Sequence, residues 1–500
     1  MATPEPLSPA GGAATGPPST LAAIGSVVGA SVAGRFLRFV KVLAVARLLS
    51  PESYGAFAAL TVLINYAQFL ELGASTAAFR DLAAAIGRGD AGEAKRAASR
   101  MATLKVAAAL LLGAGALAAA FWPGVPPSLH RGLLALPAIA ISSALLGQTL
   151  LQLQAEGRAH EYGRVTVGAA ASDLVLCAGL TAAWGLPGLL AASAVSPLGA
   201  LAWAWRRGAL ARPRVVEPAV LRRYLRTGVS LAAIAVVEQS LLSVDQLLIM
   251  AFLALADLGL YNVAFVLAEG VRTLGTAAST VLGPRLLREY ARAGGSLPAI
   301  RRHTLEPVLL FARALPLPVT ALWVAGGFLL TRFYPSYVRA IEPMHVLLIA
   351  TTFLVVPGGV TLFLFAQDKQ SRNLVLLACT LAVNVVVDLL LLRLGWGLMA
   401  IAVGSLVTYA AYAITLLWYV SGHLLATRWQ RLAFLGRALV PAVGLATALA
   451  ALERCIDYRH SLPASLAVGA VGCLLCAPLA LDAARLAWRL DETPATQPRP

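Results

Sequence analysis

Leu21–Ala46 reads LAAIGSVVGASVAGRFLRFVKVLAVA. A bilayer crossing takes about 20 apolar residues, and the apolar part before Arg35 is too short to cross alone. Arg35, Arg38 and Lys41 must therefore enter the membrane. Cations there are costly, and they face a wet cavity or an anionic partner rather than lipid. At 3.6 residues per turn the three fall within one arc of about 120°. One stripe of positive charge runs down the first membrane helix, aimed at something wet or anionic.

The rest of the chain has the same character. It is 500 residues long, 59% hydrophobic and only 13% charged, with mean hydropathy +0.77. A soluble domain is nearer a quarter charged. The composition gives an all-α polytopic membrane protein. About 14 transmembrane helices can be placed, near 21–46, 54–76, 104–122, 133–153, 165–184, 186–205, 228–252, 258–283, 306–331, 341–366, 373–392, 396–420, 434–452 and 463–487. Pro197, Pro316, Pro318 and Pro357 fall inside spans, where they mark bends.

The net charge of +16 is explained by placement, not by nucleic acid. Of the 40 Lys and Arg, 28 lie in the tails and in the loops at 77–105, 154–164, 206–227, 284–305, 367–372 and 421–437. The opposite loops hold 7, and 5 lie inside spans. Such a bias puts both termini in the cytoplasm. The outer loops are all short, which argues against membrane glycosyltransferases and ligases with an outer domain. Residues 1–20 carry no Lys or Arg, so the first span reads as a retained helix rather than a cleaved signal. Cys473 and Cys476 form a C-x-x-C inside the last span without a second pair, and they read as packing residues.

A repeat divides the chain. Leu49–Phe57 (LSPESYGAF) and Ala254–Tyr261 (ALADLGLY) align at an offset of 204, pairing Gly55 with Gly259 and Phe57 with Tyr261. The boundaries that follow are a disordered tail over 1–20, a six-helix lobe over 21–205 and a basic linker over 206–227. A second six-helix lobe covers 228–420, two additional helices 421–487, and a tail 488–500. Parallel repeats of this kind are a transporter feature, with the path between the lobes. The alignment pairs Lys41 with Asp245. One lobe is basic where the other is acidic.

Charged residues inside spans are functional candidates. Arg35 and Arg38 present planar donor forks suited to phosphate oxygens, with Lys41 and Arg272 beside them. The competing reading pairs Arg35 and Arg38 with Glu71 or Asp173, lets Lys41 snorkel outward, and pairs Arg272 with Glu269 three residues away. Asp245, Asn384 and Asp388 supply oxygens for a small cation or a proton, Asn384 and Asp388 being four apart on one helix face. Glu71, Glu238 and Glu269 are the remaining intramembrane acids singled out.

Several motifs resemble the polysaccharide-export flippases of the multidrug/oligosaccharidyl-lipid/polysaccharide superfamily. They are Ala46–Gly55 (ARLLSPESYG) followed by Glu71-Leu72-Gly73, Gly259–Asn262 (GLYN) through Pro284-Arg285-Leu286, and Asn384 through Leu394–Gly397 (LGWG), Ala400 and Ala402. The likeness covers about residues 20–420. Glu71 departs from the family's frequent Asp, and Gly283 from an aromatic. The resemblance implies alternating access that moves an undecaprenyl-diphosphate-linked oligosaccharide across a bacterial inner membrane, for O-antigen or other polysaccharide biosynthesis. Related lipid II flippases place arginines toward the pyrophosphate. Their second-lobe cation site matches Asp245, Asn384 and Asp388 here.

The expectation is thus a flippase and not an enzyme. It needs no cofactor beyond a coupling Na⁺ or H⁺. Its partners are the lipid-linked oligosaccharide, membrane lipids, and a polysaccharide polymerase with its chain-length machinery. The competing functions are a cation-coupled multidrug antiporter, a lipid II flippase, and a non-transporting organiser of glycan assembly.

Overall fold

The computed structural model describes residues 20–292, 297–358, 360, 363, 364, 367, 370–456 and 458–491. The tails before 20 and after 491 lie outside the described residues. Everything regular is helical. The first half comprises α1 (Thr20–Leu48), α2 (Pro51–Ala67), α3 (Ala74–Gly87), α4 (Ala91–Ala120), α5 (Pro127–Ala155), α6 (Ala159–Trp184) and α7 (Leu186–Arg206). A linker leads to α8 (Pro218–Phe252), α9 (Leu255–Arg292), α10 (Leu297–Ala314), α11 (Pro316–Phe333), α12 (Ile341–Val355), α13 (Gln370–Arg393) and α14 (Leu398–Leu424). Two further helices follow, α15 (Arg428–Cys455) and α16 (Leu462–Asp491).

Among the described residues ten helices are long and apolar enough to cross a membrane, or eleven if α2 and α3 count as one bent span. The other expected spans are α1, α8 and α9. These carry the intramembrane charges Arg35, Arg38, Lys41, Asp245, Glu269 and Arg272.

Local chemistry sets several boundaries. The Ser53 N–H donates to Ser50 Oγ at 3.3 Å, Pro51 opens α2, and Glu52 sits in its first turn. Ser50 so satisfies an N–H of the first turn, and Glu52 meets the positive end of the helix. Pro316 separates α10 from α11, whereas Pro197 is carried inside α7. Two of the basic loops are shorter than expected. The segment 77–105 is mostly α3 and the start of α4, and α8 begins at Pro218 rather than near 228. The buried face of α3 is Ala74, Ala77, Ala78, Leu82 and Ala85, a helical repeat within a charged stretch.

The halves meet along α2 and α9, with α1 also against α9 and α3 against α8. The repeat-related hairpins thus face each other. Gly55 and Gly259 stand at the crossing: a Cβ on Gly55 would overlap the Leu255 carbonyl, and one on Gly259 the Pro51 carbonyl. Only small residues let helix backbones approach so closely. Around them Asn262 Nδ2 donates to Tyr54 Oη at 2.8 Å, and the Tyr337 hydroxyl to the Leu49 carbonyl at 3.1 Å.

The other end is closed differently. After α2, a 3₁₀ turn over Gln68–Glu71 leads to Leu72 (φ 48°) and Gly73 (φ 72°), and α3 departs at 64°. Leu72 is a non-glycine residue in the left-handed region, a strained position. Gly73 lies so close to Gly228 that neither leaves room for a Cβ. Arg223 on α8 pairs with Asp81 on α3. The halves therefore touch at both ends, and the charged middle of α1 and α9 lies between.

Candidate functional site between and within the halves

The basic stripe divides three ways. Arg35 reaches across to α9, where its guanidinium stands 3.6 Å from Glu269. Glu269 is also held by Arg272 on its own helix, with Nε donating at 2.6 Å and a second bond from the guanidinium. One carboxylate thus joins an arginine from each half. Lys41 turns the other way, to Asp173 of α6 at 2.8 Å. Asp173 further accepts from Ser196 at 3.0 Å and from Cys177 at 3.2 Å. Sequence grouped Lys41 with the anion-binding set, but the structure gives it an internal partner.

Arg38 is exposed and makes no ion pair among the described residues. Its surroundings follow from helix geometry. Val45 and Leu49 stand within about 20° of Arg38 around the α1 axis. They are 1% and 9% exposed, so this face of α1 points into the protein. The face is packed shut at Val45 and Leu49 and open at Arg38. Arg38 shares this face of α1, between Arg35 on one side and Lys41 on the other.

Glu71 pairs with Lys105 at 3.3 Å, not with the stripe. The Glu238 side chain lies outside the described residues.

A second cluster lies within the second half. α8 packs on α13, and α13 on α14. This brings together Asp245, Asn384 and Asp388, respectively 3%, 0% and 0% exposed. Asn384 Nδ2 donates to Asp388 Oδ2 at 3.2 Å. Asp245 Oδ2 accepts from Ser405 at 2.6 Å and from Tyr261. Three oxygens, Asp245 Oδ1, Asn384 Oδ1 and Asp388 Oδ1, are buried without a partner, as is Thr408 Oγ1 on α14. Buried acceptors are rarely left so.

Two carboxylates and an amide oxygen, with no basic side chain bonded to them, form a hard-oxygen cluster that fits a small cation or a proton. Among the described residues no group of three or more His, Cys, Asp or Glu could hold a metal, which distinguishes this cluster from a zinc-type site. Gly404 completes it. A Cβ there would overlap the Asp388 carboxylate.

Sequence reading missed Ser405, Thr408, Tyr409 and Gly404. Ser405, Thr408 and Tyr409 recur at helical spacing inside the apolar α14, which was the available signal. Tyr409 is 5% exposed, and its hydroxyl donates to the Leu241 carbonyl at 3.5 Å. Cys473 and Cys476 are free thiols, and Cys476 packs 3.5 Å from Thr320.

No family profile matches the chain, and its sequence matches no curated protein. Solved structures do match. Lipid II flippase MurJ in an inward closed conformation superposes with a TM-score of 0.64 at 13% identity, covering 90% of this chain and 97% of that one. A MATE transporter of Vibrio cholerae gives 0.56 at 14% identity, covering 82% and 97%. A MOP superfamily transporter from Pyrococcus furiosus, described as having a binding pocket of reverse polarity, gives 0.51 at 15%, covering 82% and 95%. The chain has the polytopic helical fold that these membrane transporters share.

Proposed function

We propose that the protein is a flippase for a diphosphate-linked oligosaccharide lipid, working by alternating access in a bacterial inner membrane with both termini cytoplasmic. The observation that carries the reading is the bridge Arg35–Glu269–Arg272, beside Arg38, which has no ion pair among the described residues. Two arginines, one from each half, meet one carboxylate, and Arg38 lies beside Arg35 on α1. A diphosphate brings more charge and more acceptor oxygens than Glu269 offers, in the planar geometry guanidinium groups bind best. Glu269 acts as a stand-in anion. It joins the halves when no substrate is present and yields its arginines when a diphosphate arrives. Lys41 is left out of the binding set because Asp173 already holds it.

Asp245, Asn384 and Asp388 take the coupling ion, Na⁺ or H⁺. No bond is made or broken in such a cycle, and no enzyme activity is invoked. An undecaprenyl-linked glycan destined for O-antigen or a related polysaccharide is the intended cargo, delivered to a polymerase on the outer side.

The resemblance in overall length supports this reading: the lipid II flippase fold extends over 90% of the chain, more than any MATE superposition quoted above. Lipid II itself is a diphosphate-linked lipid and fits the same arginines. A cationic-drug antiporter fits worse, because its cargo would meet three arginines.

Deletion in the native host, with leaflet-resolved analysis of lipid-linked oligosaccharide, tests the proposal. Accumulation on the inner leaflet with unchanged drug resistance is expected. Loss of drug resistance with surface glycan intact would move the assignment to the antiporter. Normal flipping beside failed glycan assembly would point to an organiser.

A further inference from the structure

A second concavity lies on the basic face, away from the inter-half site. It is a bowl of about 730 Å³ walled by the first turns of α4, the last turns of α5 and α7, and the linker between α7 and α8. Its two acids are already engaged. Asp90 Oδ1 caps α4 through the Glu93 N–H at 2.9 Å. Glu156 accepts from Gln152 at 2.8 Å and from Arg158 at 2.9 Å. Its three cations are not engaged. Lys95, Arg212 and Arg214 line the bowl and make no ion pair among the described residues.

Two features show that the bowl is built rather than incidental. Gln152 is 6% exposed and lines it, and while its amide nitrogen serves Glu156, its Oε1 has no partner. The linker is also fixed in place. Thr103 Oγ1 accepts the Arg214 N–H at 2.9 Å and donates to the Arg214 carbonyl at 2.5 Å, so Arg214 is held at the rim. Trp205, at the end of α7, stands on one flank where membrane helices place interfacial aromatics.

Unpaired cations ask for an anion, and an unpartnered buried acceptor asks for a donor. A phosphoester with free hydroxyls supplies both. We propose that this bowl binds a hydroxyl-bearing phosphoester of the glycerol phosphate class, its phosphate on Arg212, Arg214 and Lys95 and a hydroxyl on Gln152 Oε1. The same chemistry occurs in the headgroup of phosphatidylglycerol and in soluble glycerol 3-phosphate. Because the linker joins the halves, an occupant would fasten the linker to the first half.

The test uses the delipidated full-length protein in neutral detergent, with binding read by native mass spectrometry and thermal shift. The probes are phosphatidylglycerol, phosphatidic acid (no free headgroup hydroxyl) and glycerol 3-phosphate. Arg212→Glu with Arg214→Glu should weaken binding on the order of tenfold or more, since each basic residue near a headgroup contributes appreciably. Arg428→Glu with Arg437→Glu, equally charged and on the same face, should leave binding unchanged. Gln152→Leu, which keeps all charges, should erase a preference for phosphatidylglycerol over phosphatidic acid. A response to phosphatidylglycerol alone assigns the lipid, and a response to glycerol 3-phosphate as well assigns a soluble ligand. Equal loss in the two reversal pairs, or no binding of any probe, would overturn the proposal.

Discussion

Lys41, Asp173 and Ser196 form a polar cluster in the first half, and Asp245, Asp388 and Ser405 belong to one in the second. Each set comes from the first, fifth and sixth membrane spans of its half: α1, α6 and α7 against α8, α13 and α14. The deciding difference is one side chain. In the first half the Lys41 ammonium sits 2.8 Å from the acid, a cation tethered to the chain. In the second half the residue from the first span is itself an acid, Asp245, and three oxygens are left without partners. The first cluster is electrically complete as folded. The second asks for a positive charge from outside. One half thus holds a self-contained ion pair, and the other holds the cluster that the proposed function assigns to the coupling ion.

The largest effect that would break this comparison is on transport. Asp245→Asn and Asp388→Asn should each abolish dependence on an ion gradient, with a fall in rate on the order of a hundredfold. The double change Lys41→Met with Asp173→Asn should retain most transport, because it removes a self-contained pair. Stability should respond with opposite signs in the two halves. Lys41→Met alone strands the Asp173 carboxylate and should destabilise by about 3 kcal/mol, read as a lower Tm in detergent, with most of it recovered in the double variant. Asp388→Asn should instead raise the Tm in buffer without sodium, where it removes one of two clustered buried charges. Gly404→Ala pushes a methyl into Asp388 and should cost about 2 kcal/mol together with the ion response. Tyr261→Phe removes one of the donors on Asp245 and should weaken ion binding only several-fold, about 1 kcal/mol, in a direct titration.

Which of these features could be read from sequence follows from their range. The spans are legible because apolar runs of bilayer length are local, and so is the Ser50-Pro51-Glu52 cap. Asn384 and Asp388 are legible as a pair because they are four residues apart on one helix. The repeat placed Lys41 opposite Asp245 before either had a partner. Pairings across helices were not legible: Glu269 to Arg35 and Asp173 to Lys41 depend on which faces meet, and no periodicity in α1 says so. The bend at Leu72–Gly73 was hidden because a 3₁₀ turn within an apolar run leaves the composition unchanged. α3 was hidden for the converse reason. Its small buried stripe of Ala74, Ala77, Ala78 and Ala85 lies among Arg80, Asp81 and Arg88, whose charges dominate the reading.

Flipping of a fluorescent diphosphate-linked lipid in proteoliposomes tests the role of the arginines between the halves most directly. The wild type and Lys41→Met/Asp173→Asn should flip the lipid, and Arg35→Glu, reconstituted to the same level, should not. Wild-type flipping by Arg35→Glu, or its loss only when Lys41 and Asp173 are replaced, would contradict the account.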